Sequence, residues 1–486
     1  MTGRGRHALV SVTLSALLAG CAVGPDFRRP EPPNGDYGPL PGAADAEQRF
    51  VSDLDIPGQW WTLFGSPQLA RLVEIAIAAN PGIDAARAAL TQARELRKAE
   101  WTANLPLLQG EAAASRNKNA TASLANPSTN SQNAAYYSFY TAQLGLSYLP
   151  DVWGATARAV ESAVAQEENA RFQLAATTLT LSTNVVGTVV QEAALRGQLA
   201  ATRRLAATQH ELTEMVGHQV AIGSLSRLDL LSQQTAEAET LATLPPLEKQ
   251  LAQTRDALAA LLGRLPGAVP DEEFTLADLT LPRDLPVSLP SKLVEQRPDV
   301  RAAQEILHQA TAAVGIALAD MLPQLSITGS YGSTAFKPNQ LLTPNYGFWS
   351  LGANLSQTLF DAGALLHRRR AADAAMDQAA ALYRLTVIAA FQNVADCLRA
   401  LEADGDAVAA NRQAAATAAE TFAIARQQFG LGTVSMVVLL NSEQAALVTE
   451  IAKVQAEADR YADTAGLFQA LGGGWWNRPE LAANPL

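Results

Sequence analysis

One stretch of this chain is written twice. Asn80-Pro81-Gly82-Ile83-Asp84-Ala85-Ala86-Arg87-Ala88 in the first half matches Arg297-Pro298-Asp299-Val300-Arg301-Ala302-Ala303 in the second. In each copy Pro occupies the first position of a helical run, where a missing N–H costs nothing. Each run closes at Leu-Pro, Leu105-Pro106 and Leu322-Pro323. The separation is 25 positions both times (81 to 106, and 298 to 323). A long internal repeat of this kind means that one structural unit is used twice.

Beyond each Leu-Pro the sequence alternates with period two. Tyr140, Ala142, Leu144, Leu146 and Tyr148 interleave with Thr141, Gln143, Gly145 and Ser147; Trp349, Leu351, Ala353 and Leu355 interleave with Ser350, Gly352, Asn354 and Ser356. About ten residues of such alternation is the pattern of a membrane β-strand, apolar toward lipid and polar toward a lumen. The edge hairpin of a soluble sandwich shows the same alternation. Weaker partner strands are predicted at about 107–116 and 325–334, pairing with strands at about 139–148 and 347–357. Asn/Ser/Thr/Pro-rich loops, 117–138 and 335–346, separate them. Aromatic residues flanking the segments (Tyr136, Tyr137, Phe139, Tyr140, Tyr148, Tyr331, Tyr346, Phe348 and Trp349) suit interfacial girdles.

Each hairpin leads, past Asp151 or Asp361, into a long helical region. No proline occurs from Asp151 to Leu244 or from Asn345 to Arg478. Leu174, Leu181, Val185, Thr188, Leu195, Leu199 and Thr202 recur at spacings of threes, fours and sevens. A helix of about 65 residues is roughly 100 Å long, a length used by coiled coils and helical tubes. Both regions break at a matched turn, Gly223-Ser224 and Gly432-Thr433. The distance from the Asp is 72 positions in one copy (151 to 223) and 71 in the other (361 to 432). Gly ends a helix cheaply in the left-handed region and Ser or Thr caps the next. Each copy therefore ends in a helical hairpin.

The N-terminus reads as a targeting segment. Arg4, Arg6 and His7 precede a small, apolar run from Ala8 to Ala19, too short to span a bilayer. It ends Leu17-Leu18-Ala19-Gly20-Cys21, which resembles a bacterial lipobox, with cleavage before Cys21. The resemblance implies an S-diacylglycerol and an N-palmitoyl group on Cys21, and Ala22 at the next position lacks the inner-membrane retention signal of an Asp. The expected organisation is a signal peptide (1–20), a lipidated, Pro/Gly-rich tether (21–66), a first repeat (67–280), a second repeat (281–474) and a tail (475–486).

Four strands cannot close on themselves, and an open edge cannot face lipid with unpaired backbone groups. Three copies would supply twelve, an allowed even number. The formal net charge of −11 disfavours nucleic acid as a partner. The five histidines show no metal-ligand spacing, and no nucleophile, phosphate-loop or zinc-hydrolase motif is present, so an enzyme is not expected. Cys397, in a helical stretch, reads as a small buried apolar residue.

Taken together, Cys21-Ala22-Val23-Gly24-Pro25-Asp26-Phe27, Trp60-Trp61-Thr62-Leu63-Phe64, Asn80-Pro81, Leu289-Pro290-Ser291, Arg297-Pro298-Asp299-Val300-Arg301 and Gly432-Thr433 resemble the TolC superfamily of outer-membrane efflux proteins, nearest its NodT and OprM lipoprotein type. The resemblance implies a mostly α fold with a membrane β-hairpin pair. It implies a homotrimer whose twelve-strand barrel is continued by a periplasmic α-helical barrel closed at its tip, anchored in outer-membrane lipid. The implied partners are a periplasmic membrane-fusion adaptor and an inner-membrane RND-type pump, with small toxic compounds as cargo and no cofactor beyond the lipid on Cys21. By the same resemblance the constricting residues are Val437, Asn441 and Gln444. Relatives often carry Asp and a basic residue at the last two positions, so an uncharged gate is expected here. A duct for protein secretion and a pore-less coiled-coil lipoprotein are the alternatives.

Overall fold

The computed structural model describes residues 22–31, 47–118, 136–268, 272–288 and 290–482. The signal segment, Cys21 and most of the first hairpin loop lie outside the described residues. The principal elements, in chain order, are β1 (Arg49–Ser52), α1 (Pro67–Ala79), α2 (Pro81–Thr102), β2 (Leu107–Lys118), β3 (Tyr136–Tyr148), α3 (Ala155–Ala221) and α4 (Arg227–Leu261). The second half adds β4 (Asp284–Val287), α5 (Pro290–Gln296), α6 (Pro298–Ala319), β5 (Gln324–Ala335), β6 (Gly347–Ser356), α7 (Ala364–Gly430) and α8 (Met436–Ala470). The duplication is visible in the lengths. Helices α2 and α6 each have 22 residues, α3 and α7 each 67, and α4 and α8 each 35.

Local chemistry sets these boundaries. Pro81 and Pro298 open α2 and α6. Asp151 accepts hydrogen bonds from the Thr156 and Ala157 N–H groups, at 3.1 and 2.7 Å, capping α3. Asp361 does the same for α7 through the N–H groups of Gly363 and Leu365, at 2.9 and 2.7 Å. These backbone donors, Leu365 first, hold the Asp361 carboxyl below its usual range. Helix α4 runs through Pro245 and Pro246, where the end of the proline-free stretch suggests a helical limit.

The chain divides into two compact units. The first comprises Met1–Arg29, Thr91–Glu168 and Gln304–Leu382; the second comprises Pro30–Leu90, Asn169–Ala303 and Tyr383–Leu486. The first contains a four-stranded antiparallel sheet in the order β2-β3-β5-β6. The second contains the main apolar core. There Trp60, Phe64, Phe172 and Phe468 are fully buried, with Trp60 stacked on Phe468 at 5.3 Å between ring centroids. Val185, Val186, Val189, Val190, Ala193 and Ala194 of α3 are buried in the same core, so the helix is covered more widely here than by a single coiled-coil stripe.

Two expected boundaries are corrected by this core. Residues 47–66 are packed structure and not tether. Strand β1 pairs in parallel with β4, Arg49 opposite Asp284 through Ser52 opposite Val287, and Ile56, Trp60, Trp61 and Phe64 are buried. The start of the tail is also packed: Trp475 is buried, and its Nε1 donates to the Gln296 carbonyl at 2.6 Å. Burying a large aromatic ring outweighs the loop-like composition around it.

Candidate functional site

The register of the sheet decides which side chains share a face. Gly110 lies opposite Leu144, Leu144 opposite Tyr331, and Tyr331 opposite Trp349. The next row is Leu108, Leu146, Gly329 and Leu351. Because side chains alternate with period two, one face collects Leu108, Ala112, Tyr140, Leu144, Leu146, Tyr331, Trp349, Leu351 and Leu355. Tyr331, Trp349, Leu351 and Leu355 are 70%, 76%, 71% and 68% exposed, too much bare apolar surface for water.

The other face carries Gln109, Glu111, Thr141, Gln143, Ser330, Ser350 and Asn354. It is tied by a Gln143–Glu111 hydrogen bond of 2.7 Å, a Thr141–Thr334 contact of 3.1 Å and a Ser330–Ser350 contact of 2.7 Å. The register also corrects the aromatic assignment. Tyr136, Tyr140, Tyr148, Tyr331 and Trp349 lie on the apolar face, whereas Tyr137, Phe139 and Phe348 lie on the polar one. Within the chain, β2 and β6 are the sheet edges and each pairs on one side only. No described helix is long and apolar enough to cross a membrane.

Residues 22–27 form a strap against the start of α3 and against α6. Val23 N–H donates to the Trp153 carbonyl at 3.0 Å. Asp26 pairs with the buried Arg158 guanidinium at 2.6 Å, and Arg158 also reaches Glu161 at 2.7 Å. Phe27 stacks on His308 at 4.3 Å, and His308 is held between Glu161 at 3.0 Å and Glu305 at 3.2 Å. The Glu305 hydrogen bond, reinforced by Glu161 and opposed by burial, raises the His308 pKa. Ala22 lies against Gly154, whose φ is +79°; a Cβ there would stand 2.5 Å from the Ala22 Cα. Gly154 is six positions beyond Tyr148, the last residue of β3.

The matched turns sit at the ends of the two helical hairpins. Gly223 has φ of +76° and Gly432 of +72°, both left-handed. Ser224 N–H donates to the Gln219 carbonyl and Thr433 N–H to the Gln428 carbonyl, at 2.8 and 3.0 Å, closing each helix in the same way. The caps of the next helices are not these residues but Ser226, which forms a capping box with Asp229, and Ser435. The hairpins pack on each other through Leu212, Val216, Ala425, Phe429, Met436 and Leu439.

Val437, Asn441 and Gln444 are all exposed and share one face of α8, four and then three residues apart. Behind them Met436, Leu439, Ser442 and Glu443 are buried. Glu443 is 1% exposed, and among the described residues neither of its carboxyl oxygens has a hydrogen-bond partner. Burial pushes its pKa up to about 7, against the smaller opposing effects of Gln209 and Arg426. Among the described residues the buried Oε1 atoms of Gln209 and Gln233 also lack donors. Sequence reasoning missed this carboxyl, although Met436, Leu439 and Glu443 fall at i, i+3 and i+7, the spacing of a helix seam.

The family model described as outer membrane efflux protein matches residues 72–264 and 289–473. A pyoverdine export outer membrane protein, OpmQ of Pseudomonas putida, is 28% identical over 471 residues, covering 97% of this chain and 98% of its own length. Nodulation protein T of Rhizobium leguminosarum bv. trifolii is 26% identical, covering 95% and 96%. The solved structure of the outer-membrane channel OprN is 27% identical and superposes with a TM-score of 0.85, covering 94% of this chain and all of that one.

Proposed function

We propose, for a chain that belongs to the outer membrane efflux protein family, that three copies join β2 of one to β6 of the next and form a lipid-anchored, twelve-strand exit duct. The observation that carries this reading is the four-stranded sheet with one exposed apolar face, one polar face and two open edges. Backbone N–H and C=O groups left open in hydrocarbon each cost several kcal/mol, so a sheet in lipid has to close. Glu111, Gln143, Ser330 and Ser350 line the water-filled interior, and the leucines, Tyr331 and Trp349 meet lipid.

In this reading Cys21 carries the N-palmitoyl and S-diacylglycerol groups. Ala22 packs against Gly154 just past the end of β3, and the preceding Cα is about 3.8 Å away. The acyl chains therefore enter the bilayer where the strands leave it. Several chains anchor firmly where one anchors marginally.

The duct is passive. An inner-membrane RND-type pump, reached through a periplasmic membrane-fusion adaptor, supplies the driving force and chooses the cargo, which we take to be small toxic compounds. Val437, Asn441 and Gln444 narrow the resting aperture, Asn441 and Gln444 by uncharged hydrogen bonds worth about 1 kcal/mol each. That support is geometric: they form one exposed stripe of α8 beside the Gly432 turn. The test is single-channel conductance of the purified full-length protein in planar bilayers. Conducting events are expected, with raised closed-state leakage in Val437→Ala and altered leakage in Asn441→Asp. Absence of conductance sinks the duct; unchanged leakage in both variants sinks the gate.

A further inference from the structure

Across the four strands of the sheet only three side chains carry charge: Glu111, Arg116 and Lys118. Glu111 is on the polar face. Arg116 and Lys118 are not. Register places Arg116 opposite Ser138 and Lys118 opposite Tyr136, so both cations project from the same face as Leu108, Ala112, Leu144 and Trp349. Both are exposed. Among the described residues neither pairs with a carboxylate; Lys118 instead lies over the Tyr136 ring, 5.4 Å from its centroid.

Two cations on an apolar face demand a reason, since an ion in hydrocarbon is expensive. Their height supplies one. Lys118 is ten residues beyond Leu108 on the same strand. At about 3.3 Å per residue and a tilt of about 40°, that is roughly 25 Å along the membrane normal, the full height of an apolar band. The cations therefore stand at headgroup level, at the hairpin-loop end of the sheet and away from the end that joins the helices. Residues i and i+2 on one face are roughly 6.6 Å apart, so a guanidinium and an ammonium can converge on one tetrahedral anion. The Ser138 and Tyr136 hydroxyls flank them on the neighbouring strand.

We infer that Arg116 and Lys118, with Ser138 and Tyr136, form a docking site on the outer rim of the lipid-facing surface for the phosphate of an outer-leaflet glycolipid. The site rests on the reading of the sheet as a membrane wall. It is continuous with that wall, so the acyl chains of the same lipid lie along the leucine face below. Charge complementarity selects the occupant. The chain carries a net charge of −11, and this uncompensated pair stands out where an anionic headgroup would sit.

The test compares the full-length protein with the Arg116→Gln/Lys118→Gln double variant, by native mass spectrometry. The probes are an acylated glucosamine-disaccharide bisphosphate and the same lipid without phosphates. Each cation near an anionic lipid surface accounts for roughly a fivefold change in affinity. The double variant is thus expected to hold the bisphosphate about 30-fold more weakly, while both proteins hold the dephosphorylated lipid alike. Equal retention of the bisphosphate by both proteins overturns the site, as does equal retention of both lipids by the wild type. Conductance in planar bilayers is read on the same two samples. Conductance in both, with no difference in lipid retention, removes the site and leaves the wall; no conductance in either removes the wall and the site with it.

Discussion

Replacing Glu443 by Gln should stabilise the helical hairpins increasingly as pH rises above 4.5, and fully above about pH 7. The carboxyl is buried, among the described residues neither oxygen accepts a hydrogen bond of good geometry, and the weak pull of Gln209 offsets little of the burial, so its pKa stands at about 7 against an ordinary 4.5. In this case the native state binds the proton more tightly than the unfolded chain. The contribution is therefore neutral below the unfolded value, becomes progressively destabilising as pH rises from 4.5 to about 7, and is constant above. At 1.36 kcal/mol per pKa unit the full effect is about 3 kcal/mol, roughly a hundredfold in an opening equilibrium. Gln keeps the shape without the charge. Hydrogen exchange of α8 amides around Val437 to Val448, measured as the ratio of wild type to Glu443→Gln at each pH, cancels the intrinsic exchange rate. The ratio should be near one at about pH 4, already a few-fold at about pH 5, and rise to the order of 100 at about pH 8. A ratio independent of pH would mean that the carboxylate finds a partner when ionised, and the reasoning would be refuted.

Other outcomes rest on the same geometry. Gly432→Ala should cost about 1–2 kcal/mol of local stability at its turn, the left-handed penalty alone, because its Cβ would meet open space. Gly154→Ala should cost more and also release the strap, because its Cβ would displace Ala22; limited proteolysis near residues 22–31 reads the difference. His308, whose pKa is raised by Glu305 and Glu161, stabilises the strap fully below its unfolded value of 6.5 and loses that contribution as pH rises through the folded value. Proteolysis of the strap should accordingly quicken on the alkaline side in wild type and lose this dependence in His308→Gln. Trp60→Ala should destabilise the core of the second unit by about 3–5 kcal/mol, seen in thermal melting.

Much of the fold was legible because its punctuation is local. Pro81 and Pro298 are favoured at the first turn of a helix, and Gly223 and Gly432 take left-handed turns at little cost, so helix lengths could be read by subtraction. The strands were legible from alternation, and the observed limits of Leu107–Lys118 and Gly347–Ser356 lie within two residues of expectation. What depended on distant partners was hidden. Glu443 looks like a surface residue until the first hairpin, more than 200 positions earlier, is packed over it. The segment 47–66 looked like tether because Trp60 finds Phe468 only in three dimensions. The faces of Tyr137 and Phe139 needed the strand register, as did the placing of Arg116 and Lys118 on the face opposite Glu111. The continuation of α4 through Pro245 and Pro246 has no signal in the sequence that we can identify.

The central claim is that the two faces of the sheet meet different solvents, water inside a closed duct and lipid outside. Ser350→Cys and Leu351→Cys test it with adjacent residues on opposite faces. The background is quiet, because burial pushes the Cys397 thiol up to about 11 and Cys21 is acylated in this account. A charged, membrane-impermeant thiol reagent applied during single-channel recording should modify Ser350→Cys and lower its conductance, leaving Leu351→Cys unlabelled and unchanged. Equal labelling of both cysteines, or block through Leu351→Cys alone, would contradict the account.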